Sequence, residues 1–369
     1  MKQEADETTM HIERYKDDQI LELLKIMAPG TPLREGLENI LKARTGALIV
    51  IGDSERVMNA VEGGFFINKE FSPARLYELA KMDGAIVLSE DQSTILFANT
   101  LLIPDPSIYT EETGTRHKSA ERFSKQTGEI VVCISQRRNI ITLYKGSRKY
   151  ILRDTSAILT RANQALQTLE KYVAVLASTA NNLSILEFED IATLNDVAKV
   201  MQRTEMVMRV VAEIERYIVE LGNEGRLLSM QLEELMAYVE EDGRLVVEDY
   251  MLQNDNITAD DILKRISSFA YDELMDLTCI CHALGFYKVP GSPDVYVMPK
   301  GYRIMSKVPR VPMTIARKLI DAFGNLQGIC KATIAQMDEV EGIGELRARA
   351  IKEGLRRVRE QVLLENRRV

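Results

Sequence analysis

The chain has 369 residues, of which 46% are hydrophobic and 28% charged, with a formal net charge of -8. That length exceeds one ordinary core and suits two or three globular domains, and the lack of any biased tract excludes a fibrous or disordered chain. No apolar run approaches the roughly 20 residues of a membrane span, and the N-terminus (MKQEADETTMHIERYKDDQ) is polar and acidic instead of signal-like, so the expectation is a cytoplasmic protein with no membrane partner.

The first third alternates helical and strand-like stretches. Helical spacing marks Asp17 to Met27 and Pro32 to Arg44, and GALIVIG (Gly46 to Gly52) is the unbroken apolar run of a strand covered on both faces. Gly63-Gly64-Phe65 reads as a tight turn, and Pro73 opens a helix to Lys81. The strand Ala85 to Ser89 follows Asp83-Gly84 directly. Thr94 to Ala98, Ile130 to Ser135 and Ile140 to Tyr144 supply further strands, with a helix from about Arg116 to Gln126 between them. This pattern predicts an α/β mixed-sheet domain over residues 1–150.

Two stretches of this domain carry candidate chemistry. In TGTRHKSAER, a turn on Gly114 leads into a helix opening with Arg116, His117 and Lys118. Three potential cations beside free backbone N–H groups form an anion pocket, better suited to a phosphate chain than to a lone carboxylate. His117 adds a donor that is neutral or charged near pH 7. An ordinary basic helix start on the surface has the same residues. Asp83-Gly84-Ala85 places a carboxylate at the entrance to a strand, with two small residues that let a ligand lie against the backbone. A carboxylate opposite a phosphate pocket is what a divalent metal requires, although the tripeptide by itself is an ordinary turn.

From Asp154 the period changes. Ile158, Ala162, Ala165, Leu169, Tyr172 and Leu176 line one face of a long helix, a second runs from about Ile191 to Leu221, and shorter ones cover Arg226 to Val239 and Thr258 to Leu284. Thr258 and Asp261 have capping-box spacing. Cys279, Cys281 and His282 fall in an apolar helical pattern without a second ligand pair and read as core thiols, the four cysteines being scattered and reduced. An all-α spine over 151–295 is expected, ending in the turn-rich linker Pro290 to Pro299.

The last segment, 296–369, is basic: Lys300 to Val369 holds 15 Lys and Arg against 8 Asp and Glu, a local +7 on a chain of -8. Short helices are expected at Thr314 to Phe323 and Lys331 to Val340. The turn Glu341-Gly342-Ile343-Gly344 feeds a helix from Glu345 to about Glu360. Gly342, Ile343 and Gly344 resemble the hairpin of the helix-hairpin-helix DNA-binding motif, in which glycines admit a phosphate to the backbone and Arg347 or Arg349 adds charge. Such contacts read no base sequence and weaken steeply with salt.

The segments KMDGAIVL, TGTRHKSAERFSKQTG and ISQRRNIITLY, a helical middle and a terminal VEGIG hairpin occur in this order in the DNA integrity scanning family of bacterial diadenylate cyclases, which the chain resembles from about Met27 onward. The resemblance implies a cyclase domain condensing two ATP into cyclic di-AMP, with Mg²⁺ or Mn²⁺ as cofactor. It implies a homo-octamer in which cyclase domains face one another, and a tail that binds branched DNA such as Holliday junctions, in a cytoplasmic, nucleoid-associated protein. By position it implies a metal-holding, catalytic Asp83, with Arg116 and His117 also catalytic. ATP-binding roles fall to Gly84, Ala85, Leu102, Gly114, Thr115, Arg116, His117, Lys118 and Ser135. The family reads Arg-His-Arg where this chain has Lys118, which keeps the charge and loses the bidentate fork. The competing expectation is therefore a catalytically weak, nucleotide-sensing DNA-binding scaffold; a repair nuclease fits less well, because the N-terminal part lacks clustered carboxylates.

Overall fold

The computed structural model describes residues 23–252, 257–287 and 294–366. The predicted helix Asp17 to Met27 lies partly outside them, and residues 23–26 are helical. The chain then forms α1 (Pro32–Lys42), β1 (Ala47–Ile51), α2 (Glu55–Met58), β2 (Val61–Glu62), β3 (Phe65–Glu70) and α3 (Pro73–Leu79). β4 (Ala85–Leu88), β5 (Thr94–Leu102), α4 (Thr115–Thr127), β6 (Ile130–Ser135), β7 (Ile140–Lys145) and β8 (Arg148–Leu152) follow. The strands make one mixed sheet in the order β2-β5-β4-β1-β6-β7-β8, with β3 also on β5. Only β1 and β4 run parallel among the pairings of the described residues.

Both faces of this sheet are covered, which explains why β1 is apolar throughout. Ile49 and Ile51 of β1, with Val132 and Ile134 of β6, join Leu33, Leu37 and Ile40 of α1 and Leu76 of α3. Leu48, Val50, Val131 and Cys133 point the other way, into a second layer with Ala120 and Phe123 of α4. The helices are delimited as their sequences dictate. Thr31 and Ser72 cap α1 and α3 by accepting from Arg34 N and Arg75 N, each ahead of a proline, and α4 stops at Gly128, which takes the left-handed conformation (φ 81°).

The stretch read only as a turn at Gly63 to Phe65 is an edge strand in two pieces. β2 and the start of β3 pair with β5 in one register, Val61 opposite Leu102 and Phe65 opposite Ala98, which shifts by one residue between Phe66 and Lys69; the glycines interrupt the pairing opposite a kink in β5. Asn99 sits in that kink with φ 57°. Gly84 approaches it from the β4 side: a Cβ there would lie 2.8 Å from Thr100 O and 2.9 Å from Asn99 C. Gly64 approaches from the other, where a Cβ would lie 2.6 Å from Ala98 O. Two glycines are required because two backbones press on the same bulge.

The rest of the chain is helical: α5 (Thr155–Glu189), α6 (Leu194–Leu221), a 3₁₀ turn (Gly222–Gly225), α7 (Arg226–Met236), α8 (Val239–Tyr250), α9 (Ala259–Ser267), α10 (Tyr271–Met275), α11 (Leu277–Ala283), α12 (Tyr302–Ser306), α13 (Met313–Phe323), α14 (Leu326–Lys331), α15 (Ile334–Asp338) and α16 (Glu345–Asn366). Residues gather into two compact units, one running to Asn163 and including Glu215–Ser229, the other holding Gln164–Ile214 and the chain from Met230.

Three expectations for the helical part are corrected. The helix expected over Thr258 to Leu284 is three helices, because Glu273 accepts from Ala270 N and Asp276 from Thr278 N, starting a new helix each time. The helix expected over Lys331 to Val340 is likewise split, with Thr333 and Gln336 capping a fresh start. The described part of the expected linker is not free: Val295 O accepts from Leu194 N and Val297 N donates to Ala192 O. The stretch 288–293 lies outside the described residues.

In the second unit, Arg303 is buried and pairs through Nη2 with Glu187 at 2.5 Å, while Tyr250 donates to the same carboxylate at 2.7 Å. Asp249 caps α12, accepting from the backbone N–H groups of Gly301, Tyr302 and Arg303 at 2.7, 2.6 and 3.0 Å. Burial, reinforced by the nearby Glu187 charge, pushes the Asp249 carboxyl up to about 7.

Candidate nucleotide site and hairpin

Register alone brings the candidate residues of the first unit to one edge of the sheet. Ala85 opens β4 opposite Thr100 of β5, Ala47 opens β1 opposite Ile134 of β6, and Ser135 ends β6. The Asp83 turn, Leu102, Gly46 and Ser135 thus share the end of the sheet at which β1 and β4 begin. Arg116, in the first turn of α4, reaches the same edge: a Cβ on Gly46 would lie 2.0 Å from Arg116 Nη1 and 3.2 Å from Ile134 O. The guanidinium lies in space that only the missing side chain of Gly46 leaves open.

Individual placements differ. Asp83 is exposed, and its carboxylate makes no hydrogen bond or ion pair among the described residues. Gly84 is held at φ 86° and Ala85 is buried. Gly114 is the N-cap of α4 with no side chain to satisfy the free N–H groups, and its carbonyl accepts from Lys118 N at 2.8 Å. Thr115 and Arg116 are exposed, His117 and Lys118 half-buried. Ser135 Oγ accepts from Arg138 N at 3.3 Å. Leu102 is at the edge yet buried in the apolar layer, 6% exposed, whereas Leu101 is 62% exposed.

Sequence reading missed what surrounds His117. Its Nδ1 lies 2.9 Å from the Tyr144 hydroxyl, which donates to Glu112 Oε1 at 2.9 Å, and Lys149 pairs with the same oxygen. The segment carrying Glu112 is fastened to α4: Gln126 accepts from Asp105 N, Arg122 Nε donates to Ile108 O, Lys125 to Tyr109 O and Thr110 to Glu121. Burial draws the Glu112 carboxyl upward, but hydrogen bonds from Lys149 and Tyr144 outweigh it and hold the group below its usual range. Burial lowers the His117 imidazole against the pull of Glu112, helped by Arg138, Lys149 and Arg116. The Tyr144 phenol is held well above its ordinary value by burial and Glu112, and the neighbouring Cys133 thiol is pushed up to about 12 by burial. The sequence signal was slight, a glutamate two residues before Gly114 and a tyrosine on a predicted strand.

The hairpin in the second unit joins α15 to α16. Gly342 has φ 86°, Ile343 is 2% exposed and anchors the turn in the core, and a Cβ on Gly344 would meet nothing within 4 Å. Arg347 folds back to donate to Gly342 O at 2.5 Å, and Arg349 pairs with Glu345 at 2.6 Å. The hairpin backbone at Gly344 is therefore open, while the two arginines are already engaged. Elsewhere, Cys281 is buried and Cys279 part-exposed, and no group of three or more His, Cys, Asp or Glu able to hold a metal occurs among the described residues. No helix among the described residues is long and apolar enough to cross a membrane.

A glycine-lined sheet edge facing a basic helix start suits a nucleotide-binding α/β domain. Residues 34–149 match the family described as DisA bacterial checkpoint controller nucleotide-binding, and residues 152–291 its linker region. The DNA integrity scanning protein DisA of Acetivibrio thermocellus is 61% identical over 358 residues, 97% of this chain and 99% of that one. That of Clostridium botulinum (strain Loch Maree) is 58% identical over 350 residues, 95% and 98% of the two chains. Among solved structures, a double mutant of DacA from Staphylococcus aureus aligns with 38% of this chain and 90% of its own at 21% identity and a TM-score of 0.29, a likeness too slight to bear on the fold. The chain belongs to the DNA integrity scanning family of bacterial diadenylate cyclases.

Proposed function

We propose that the chain condenses two ATP into cyclic di-AMP and two diphosphates, and that the convergence of the Asp83 turn, Ser135 and the basic start of α4 on one sheet edge is the ATP site. That convergence carries the reading: it offers free N–H groups and cations to a phosphate chain and a carboxylate beside it. In each of two reciprocal attacks a ribose 3′-oxygen bonds to the α-phosphorus of the other nucleotide, the bond to diphosphate breaks, and one proton is released. One site holds one ATP in line, so two protomers must face each other. Exposed Phe65, Phe66, Leu101 and Ile103 near the edge supply apolar surface for that contact. Arg116 and the α4 N–H groups stabilise charge on the departing diphosphate, and Lys118 adds a point charge.

Asp83 is the residue that would hold Mg²⁺ or Mn²⁺. Its exposed carboxylate, without a partner among the described residues, fits an ion that takes one protein oxygen and completes its shell with phosphate and water. Such an ion, when bound, draws negative charge from the α-phosphate.

In the same reading the chain has three domains, 1–150, 151–295 and 296–369, and forms an octamer in the cytoplasm beside the nucleoid. Its terminal hairpin grips the phosphates of branched DNA. The open backbone at Gly344 supports this. Lys118 keeps a second reading in play, a nucleotide-sensing DNA-binding scaffold with little turnover. Incubation of purified protein with ATP and Mg²⁺ or Mn²⁺, with product detected by mass and Lys118→Arg alongside, separates them. Product from the native chain is expected; product only from Lys118→Arg favours the scaffold, and none from either overturns the cyclase reading.

A further inference from the structure

The hydrogen-bond chain behind His117 permits one arrangement of protons. Glu112 carries an ion pair with Lys149 and so accepts only. The Tyr144 hydroxyl has one proton, and it goes to Glu112. Its oxygen is then left to accept, and His117 Nδ1 must donate to it. In the neutral ring Nε2 therefore holds a lone pair, and Nε2 is buried with no hydrogen-bond partner among the described residues. Sequence reading cast His117 as a donor to phosphate, yet the ring as held leaves Nε2 an acceptor.

We propose that Tyr144 and Glu112 are positioning residues that lock His117 in the Nδ1–H tautomer with Nε2 bare, and that His117 takes up a proton at Nε2 when the phosphate chain of the nucleotide arrives. This rests on the edge being the nucleotide site. Nε2 is buried in the free protein, so the arriving phosphates act on the ring through their negative charge, which favours the imidazolium; phosphate oxygens only accept, and only the protonated Nε2 can serve them as a charge-assisted donor. The groups facing the ring set the balance. Arg116 on α4, Arg138 in the loop after β6 and Lys149 on β8 disfavour the imidazolium, as does burial beside Tyr144 of β7; Glu112 favours it. An arriving polyanion tips the sum toward the charged ring. Its proton comes from solvent, and Glu112, reached through the Tyr144 hydroxyl, offsets the new charge.

The two halves are tested separately. The chain has three histidines, so ¹⁵N-histidine labelling of the full-length protein gives a resolvable imidazole spectrum. In free protein above neutral pH, His117 is expected with Nδ1 protonated and Nε2 bare. Tyr144→Phe, which leaves the buried ring in place, should release it to a mixed tautomer, whereas Glu112→Gln, still able to accept from Tyr144, should preserve it. A bare Nδ1 in the native protein, or a tautomer indifferent to Tyr144→Phe, overturns the positioning role. Titration calorimetry with a non-hydrolysable ATP analogue at pH 8, in buffers of different ionisation enthalpy, should show uptake approaching about one proton per nucleotide, absent in His117→Gln and reduced in Glu112→Gln. Binding with buffer-independent heat overturns the uptake alone. No binding of the analogue overturns the site reading and the uptake with it, while the spectrum still decides the tautomer.

Discussion

Replacing Gly46 with alanine puts a methyl group 2.0 Å from Arg116 Nη1 and 3.0 Å from its Cζ. Gly46 does not occupy the left-handed region, so alanine is sterically free in its backbone, and the guanidinium is the group that yields. To restore an ordinary contact of 3.4 Å it must retreat by about 1.4 Å, the difference between the two separations. The carbonyl of Ile134, 3.2 Å from the new methyl, gives by a few tenths of an ångström. A misplacement of about 1 Å in a group that positions substrate costs on the order of 100-fold in rate. Arg116 is exposed, so the fold should lose no more than about 0.5 kcal/mol. The expected outcome is cyclic di-AMP formation reduced on the order of 100-fold with an unchanged urea midpoint, measured by product mass and chemical denaturation. Full activity in Gly46→Ala refutes the placement of Arg116 at the site, and a loss of activity matched by a loss of stability refutes the separation of site from fold.

The other predictions follow the same logic. Asp83→Asn should abolish cyclisation while leaving the denaturation curve intact, since the native carboxylate has no partner to lose among the described residues; an active variant removes Asp83 from the site. Gly344→Ala, entering open space, should weaken DNA binding and flatten its salt dependence without destabilising the protein, while Gly342→Ala should cost roughly 1–2 kcal/mol because φ 86° strains any side chain. Glu187→Ala strands the buried Arg303 and should cost roughly 3–5 kcal/mol, read from urea unfolding. Asp249 has a folded value near 7, above its unfolded one, so its contribution is full at low pH and is lost as pH rises. Stability should therefore fall between about pH 4 and pH 7, and Asp249→Asn should remove that slope.

Sequence reading found the strands with clear apolar runs: β1, β4 and β6 are unbroken ones buried on both faces, and the first half of β5 and most of β7 were also legible. β3 was invisible for the opposite reason: Phe65 and Phe66 are exposed on an edge, so the stretch has no apolar rhythm. β8 is half-exposed and reads as polar. α8 was missed because Gly243 inside an acidic stretch suggests a turn, yet it is glycine to let Thr204 pack against it, 2.8 Å from where a Cβ would be. At the site, Asp83 and Gly114 to Lys118 were legible because their chemistry is concentrated within a few adjacent residues. Tyr144 and Glu112 were not, since only the fold brings positions 112, 117 and 144 into one chain of hydrogen bonds.

Strand ends, turns and one helix start furnish every group at the sheet edge, while the apolar layers lie on the two faces behind it. Heritable change at the rim is thereby uncoupled from the forces that keep the domain folded. Exchange of Asp83 or Arg116, both exposed, is then expected to leave an abundant, well-behaved protein. A survey that selects for expression or heat resistance would be blind to the exchange, and a silent copy would differ from a working one by only a few rim residues.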